Sequence, residues 1–280
     1  VTVKVVTDST ADITSQVASE LGILVVPLCI HFGDEVYRDG VDLSPAEFYR
    51  RLGANKSLPT TSTISAGEFA EIFDKLAEET DEVLGIFISS ELSATFETAL
   101  QGKELMKAKG CRVEVIDSRL VVMALGLIVI SAAKQARTGA GMDELLQRVK
   151  SDFSQVQVRM AFDTLEYLRK GGRIGAAQAF LGTLLNFKPI LTVRDGVVTP
   201  VARERTRAKA IDHLRKFAAG FSPVREMAVE YATTPDEALA LAKDLDPVFP
   251  RERIHVSTIG SVMGTHLGPG ALGVAVLTGE

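Results

Sequence analysis

Apolar positions along this chain alternate between two spacings. Strand-length stretches at 3–6, 24–32, 83–88 and 112–116 are apolar throughout or at every second position, and between them lie segments whose apolar residues recur three and four apart. A buried strand is covered on both faces, whereas a covering helix needs one apolar stripe. Residues 14–21 and those from 95 to 109 carry such a stripe. The first half therefore predicts right-handed strand–helix crossovers and a mainly parallel sheet covered on both sides. Gly33-Asp34 turns the second strand back through Val36-Tyr37-Arg38.

Three helix starts share one signature, a hydroxyl followed three residues later by glutamate, each satisfying the other's orphan backbone donor. They are Ser44-Pro45-Ala46-Glu47, Ser65-Ala66-Gly67-Glu68 and Thr234-Pro235-Asp236-Glu237, with proline at the first helical position of the first and third. Hydroxyl-rich loops are expected at 58–65 and 89–95, and Asp117-Ser118 caps an apolar helix over 120–133. An amphipathic helix over 139–153 (Met142, Leu145, Leu146, Val149) leads into the second half. There follow a strand at 156–162, a hairpin at 190–201 turned by Asp195-Gly196, and a strand at 227–231. A helix from Pro235, a strand at 254–259, a glycine-rich loop and a last strand at 272–277 complete a mix of antiparallel and parallel pairing.

Residues 162–189, FDTLEYLRKGGRIGAAQAFLGTLLNFKP, join a short amphipathic helix, a basic glycine turn and a second apolar helix with almost no polar spacer. The glycines of Lys170-Gly171-Gly172-Arg173-Ile174-Gly175 let the backbone approach another surface closely, with Arg173 accessible. The plainer reading makes Gly171 a helix C-cap, with Lys170 complementing the helix dipole. In the helix expected over 176–185, Ala176, Ala177, Ala179, Phe180, Leu181, Leu184 and Leu185 cover more of the circumference than one buried stripe needs. That suits an apolar cavity as well as a core.

Composition narrows the function classes. The 280 residues, 46% hydrophobic and 24% charged, suffice for about two domains with proper cores and point away from disorder or a repeat array. Lys and Arg number 31 against 36 Asp and Glu. The resulting charge of -5 argues against nucleic acid as a partner, because a sequence-independent grip on it needs a basic surface. Cys29 and Cys111 sit in strand-like runs and read as buried free thiols of a reducing compartment. The sequence opens on a strand rather than a basic-then-apolar leader. The 120–133 run falls short of the roughly 20 residues a bilayer span needs, so a soluble cytoplasmic protein is expected.

Several motifs fail on context. Gly268-Pro269-Gly270-Ala271-Leu272-Gly273 has the G-x-G-x-x-G spacing but lacks the helix and acidic residue that a dinucleotide site needs after it. The sequence holds no P-loop, no H-E-x-x-H, no paired-cysteine metal spacing and no G-x-S-x-G elbow, and neither cofactor nor metal is expected. His31, His213 and His255 lie in strand or helix patterns. His266, in Gly264-Thr265-His266-Leu267-Gly268, is expected in a loop whose glycines let the imidazole approach a ligand. Ser93 and His266 offer a hydroxyl–base pair for a serine hydrolase, but the sequence supplies no orienting acid. Thr61, Ser62 and Ser93, in loops after strands or before helix N-termini, better suit hydrogen bonding to an anionic group.

Read end to end, VTDSTADI, TTSTIS at 60–65, ISSELSATF at 88–96, IDSRLVVMALG at 116–126, DTLEYLRKGGRIG, FLGTLLNFKPIL and IGSVMGTHLGPGALG resemble the DegV family. These are bacterial fatty-acid-binding proteins, and members serve as the lipid-carrying subunit of a fatty acid kinase. The resemblance implies two α/β domains, 1–155 with a mainly parallel sheet and 156–280 with a mixed one, clasping one long-chain fatty acid in an apolar tunnel between them. It implies no catalysis by the chain itself: a partner ATP-dependent kinase phosphorylates the carboxylate, and the acyl phosphate goes to phospholipid synthesis. On that reading Thr61, Ser62 and Ser93 bind the carboxylate beside His266 and Gly172, while Phe180 and Leu184 face the acyl chain. Arg173 and Arg205 offer charge to the acyl phosphate or to the docked kinase, and lipid exchange calls for a transient membrane-surface contact. The alternative is an enzyme of related fold, a hydrolase using Ser93 and His266 or a small-ligand kinase. One departure is visible: the family's T-S-Q-P-S reads Thr61-Ser62-Thr63-Ile64-Ser65 here, without the rigid proline and the amide.

Overall fold

The computed structural model describes residues 2–54, 57–183 and 187–279. Its first half runs β1 (Lys4–Asp8), α1 (Ser15–Leu21), β2 (Leu24–Val26), β3 (Cys29–Phe32), β4 (Glu35–Arg38), α2 (Pro45–Ala54), β5 (Thr60–Ser62), α3 (Ala66–Ala77), β6 (Glu82–Phe87), α4 (Thr95–Leu105), β7 (Arg112–Asp117), α5 (Val122–Arg137) and α6 (Met142–Gln155). The second half follows with β8 (Val156–Ala161), α7 (Glu166–Lys170), β9 (Lys188–Arg194), β10 (Val197–Glu204), α8 (Arg207–Ala219), β11 (Val224–Tyr231), α9 (Pro235–Asp244), β12 (His255–Thr258), α10 (Ser261–Leu267) and β13 (Leu272–Thr278).

The apolar runs of the first half form a parallel sheet in the order β2-β1-β6-β7, as their spacing predicts. The run at 24–32, expected as one strand, divides instead. Pro27 has no N–H to give a ladder, and the next amide, Leu28 N–H, turns to Ser9 Oγ at 3.3 Å. β3 thus leaves for a three-stranded antiparallel sheet, β4-β3-β5. Its third strand comes from the stretch expected as a hydroxyl loop, and pairing Ile30 with Thr61 holds Thr61 half-buried between exposed neighbours.

Second-half strands form a mixed sheet in the order β10-β9-β8-β13-β11-β12. Asp195 (φ 51°) and Gly196 (φ 83°) make the β9–β10 turn, both left-handed as a two-residue hairpin requires. Between this sheet and the parallel one lies α5, buried all round. One continuous core joins its Leu125, Ile128 and Val129 to Val5 and Ile86 on one side and to Val158 and Ala275 on the other. Full burial of a Leu or Ile side chain contributes about 1.5–3 kcal/mol, so this helix ties the two sheets together. That explains its apolar circumference.

Of the three expected capping boxes, only Ser65 with Glu68 forms in full. Ser44 Oγ accepts from Glu47 N–H at 3.3 Å, but the Glu47 carboxylate goes to Arg50 and Arg51. Glu237 pairs with Arg207 at 2.6 Å, and Thr234 makes no side-chain cap. In both cases a charged partner displaces a neutral backbone donor.

Two further expectations are corrected. The α-helix expected over 176–185 is a 3₁₀ segment, Gly175–Thr183, with Ala176 and Ala179 exposed and Ala177 buried. It is entered through Gly175 at φ 51°, packed so tightly on β10 that a Cβ there would lie 2.7 Å from Val198 O. A chain entering left-handed does not begin a regular α-helical turn. Leu184 and Leu185 lie outside the described residues. Likewise, the glycine-rich segment holding His266 is not a loop but α10. Its first amides, Ser261 N–H and Val262 N–H, donate to the Asp39 carboxylate at 2.9 and 3.2 Å, a cap supplied from far along the chain.

Candidate functional site

A cavity of about 300 Å³ opens between the sheets, with walls drawn from both halves of the chain. Val121 and Val122 enter it from the start of α5, Val158 and Met160 from β8, Phe162 from just beyond, and Leu191 from β9. Thr61, Ser93, Arg173 and His266 make its polar end. They come from β5, the β6–α4 loop, the turn after α7, and α10.

His266 organises that end. Its Nε2 and Thr61 Oγ1 are hydrogen-bonded at 2.9 Å, while its Nδ1 is buried without a hydrogen-bond partner. The ring packs against the backbone of Gly171, where a Cβ would come 2.3 Å from Nδ1. Gly171 has φ -76° and is indeed the C-cap of α7. Its missing side chain matters for the imidazole, not for the backbone angle. Burial, and then the nearby Arg173 charge, push the His266 pKa down to about 4, so the ring is neutral around pH 7. The tautomer that leaves least unsatisfied has the proton on Nε2, donating to Thr61. The Thr61 hydroxyl hydrogen is then free to point into the cavity.

Around this pair the remaining polar groups are held by the main chain or by one another. Arg173 donates from Nε to Leu92 O (3.1 Å) and from Nη1 to Gly171 O (2.7 Å), which fixes its guanidinium at the cavity mouth. Ser93 Oγ pairs with Thr95 Oγ1 at 2.8 Å, and Ser62 Oγ with His31 Nε2 at 2.9 Å. The hydroxyl–imidazole pair of a serine hydrolase is not formed, since the imidazole serves Thr61. Gly172 is exposed at φ 72° and Phe180 lies half-buried beneath the Arg203 guanidinium at 4.9 Å; neither is a described wall of the cavity. Leu184 is outside the described residues. Arg205 is exposed in the turn between β10 and α8, whereas Arg207 is committed to Glu237 and to Gly270 O.

Sequence reasoning missed most of the apolar wall and three polar residues of the lining, Thr10, Thr63 and Thr192. Thr63 lines the cavity with a buried hydroxyl that has no partner. The departure in the T-S-T-I-S loop was the available signal for it. No sequence signal marks Val122, which lines the cavity at φ 54°, a left-handed angle that costs a β-branched residue energy. Cys29 and Cys111, expected as buried thiols, are free and half-buried.

These features define an α/β protein whose cavity is apolar along its walls and lined at one end by hydroxyls and a neutral imidazole. The chain belongs to the DegV family: residues 2–279 match the family model described as "Uncharacterised protein, DegV family". It is 38% identical to a DegV domain-containing protein of Deinococcus radiodurans, covering 98% of both chains. Among solved structures it resembles a fatty-acid-binding DegV-family protein from Thermus thermophilus (33% identity, TM-score 0.90, 99% of this chain and 100% of that one). It also resembles DegV, a fatty acid binding protein from Bacillus subtilis (32% identity, TM-score 0.89, 99% of each chain). Among the described residues no helix is long and apolar enough to cross a membrane.

Proposed function

We propose that this chain binds one long-chain fatty acid in the cavity between its two lobes, divided near residue 155, and presents the carboxylate to a partner ATP-dependent kinase. The observation that carries the reading is the cavity's division into an apolar body and a hydroxyl-lined end. An acyl chain is taken by the former and a carboxylate by the latter. Thr61 donates to the carboxylate because its own oxygen is already served by His266. Ser93 and the otherwise unpartnered Thr63 hydroxyl add donors, and Arg173 supplies the positive charge at the mouth. A neutral His266 suits binding and release, since a buried ion pair with the carboxylate would hold the product tightly.

The chain acts as carrier rather than catalyst. Phosphoryl transfer needs a nucleotide cradle and bound metal ions, and the partner brings them. Arg173 and the exposed Arg205 dock that partner and steady the acyl phosphate, which passes on to phospholipid synthesis; loading and unloading take place at the surface of cytoplasmic membranes. Native mass spectrometry of the purified protein tests the reading. Co-purified long-chain fatty acid is expected; an empty protein that hydrolyses p-nitrophenyl esters through Ser93 overturns it in favour of an esterase.

A further inference from the structure

The six-stranded sheet is split where the ligand cavity meets it. β8 and β9 pair at Met160↔Leu191 and Ala161↔Ile190, yet β8 starts at Val156 and β9 continues to Arg194. Beyond Met160 and Leu191 the strands no longer form a ladder. A side-chain bond bridges the gap instead: Thr192 Oγ1 donates to Val158 O at 2.8 Å and accepts from Arg159 Nη1 at 2.9 Å. Behind the split lies a second cavity of about 410 Å³, and Val158, Thr192 and Val193 line both this cavity and the ligand cavity. The two spaces are thus adjacent rooms with one thin wall.

The second room is basic where the first is apolar. Arg119, Arg159 and Arg194 line it, with Asp117 and Asp195 as its carboxylates. Asp117 is already served by Ser90 Oγ (2.6 Å), Ser90 N–H (3.2 Å) and Arg119 N–H (2.9 Å). Arg119 leans to Glu91 and to Asp195 O at the rim. Among the described residues neither Arg159 nor Arg194 makes an ion pair. The Arg159 guanidinium stacks over Phe217 at 4.8 Å. Burial, and then repulsion from Arg194, lower its pKa. Two arginines that make no ion pair among the described residues and line one partly enclosed space suit an anion.

We propose that this second cavity is the far end of the ligand site and takes a second carboxylate, that of an α,ω-dicarboxylic acyl chain, on Arg159 and Arg194. The chain's body lies in the apolar cavity and passes the β8–β9 split at Thr192. An ordinary fatty acid gains no charged contact beyond the split, whereas a chain with a charged far end meets the arginines there. This rests on the fatty-acid reading of the first cavity, and the test separates the two.

The affinity of the purified, delipidated protein is measured for a series of α,ω-dicarboxylic acids and for the monocarboxylic acids of equal length. In the parent, one length of dicarboxylate is expected to bind at least as tightly as its monocarboxylate. In Arg194→Gln and Arg159→Gln the ratio of dicarboxylate to monocarboxylate affinity is expected to fall about tenfold or more, the scale of a charge-assisted hydrogen bond. Arg194 is exposed, so its replacement tests the site without disturbing the fold should the half-buried Arg159 be needed for packing. A ratio unchanged by Arg194→Gln, or a parent that rejects dicarboxylates of every length, overturns this proposal alone. Failure of the monocarboxylates themselves to bind overturns the fatty-acid reading and this one with it.

Discussion

Replacing Gly171 by alanine isolates the imidazole contact at the head of the cavity. The residue sits at φ -76°, so alanine is accommodated by the backbone and gains about 0.4–1 kcal/mol over glycine by restricting the unfolded chain. Its Cβ, however, would stand 2.3 Å from His266 Nδ1, where ordinary contact starts at 3.4 Å. The ring must retreat by the difference, 1.1 Å, and the 2.9 Å bond from Nε2 to Thr61 does not survive such a shift. Losing one buried hydrogen bond costs about 1–3 kcal/mol, which weakens fatty acid binding about 5- to 150-fold. Thermal stability should stay close to that of the parent, because the smaller entropy of the unfolded chain offsets part of the clash. The assay is displacement of a fluorescent fatty acid, run for Gly171→Ala, His266→Ala and the double variant. Since both act on one contact, the double variant should bind no worse than His266→Ala alone. Parent-like affinity in Gly171→Ala, or additive losses in the double variant, would refute the reasoning.

Other outcomes follow from the same geometry. Thr61→Ala and Ser93→Ala should each weaken fatty acid binding by about 1–3 kcal/mol by leaving a buried anion short of a donor; isothermal titration showing full affinity in both removes them from the site. Thr63→Val, which keeps shape and deletes the unpartnered hydroxyl, should lower affinity for the acid but not for the matching fatty alcohol if the carboxylate recruits it. With the proposed partner kinase, Arg205→Glu should slow acyl phosphate formation while lipid binding stays near normal, and equal loss of both would assign Arg205 to the fold. The buried Glu230, whose carboxylate accepts Met123 N–H at 3.0 Å, has its pKa raised by burial to about 8. The folded protein then holds a proton that the unfolded chain releases above its usual 4.5, so stability falls with rising pH up to about 8, at no more than about 1.4 kcal/mol per unit. His266, lowered to about 4, acts oppositely and only below its ordinary 6.5. Urea midpoints between pH 6.5 and 8 therefore read buried carboxyls rather than the imidazole, Glu230 together with Asp12, whose pKa burial and then the Glu230 charge also raise; Glu230→Gln should flatten that slope, and an unchanged slope rejects the assignment.

Much of this protein follows from local pattern. Period and run length determine the parallel strands, the all-round apolar α5, the Asp195-Gly196 hairpin and the Ser65–Glu68 box, because each depends on residues within a few positions of one another. The long motifs likewise pick out Thr61, Ser93, Arg173 and His266, all of which the fold brings to one end of one cavity. Tertiary structure decided what depends on distant partners. Asp39 turns the glycine-rich segment 222 residues away into a helix, and Arg207 takes Glu237 from its expected cap. Gly171 proves necessary as a surface for His266 more than as a turn. The Lys170-Gly171-Gly172-Arg173 turn reads alike as helix cap or ligand edge until the imidazole is seen against it. Neither the apolar wall of the cavity nor the break between β8 and β9 has a local signature. A residue facing a cavity and one facing a core show the same periodicity, and only packing between the two sheets separates them.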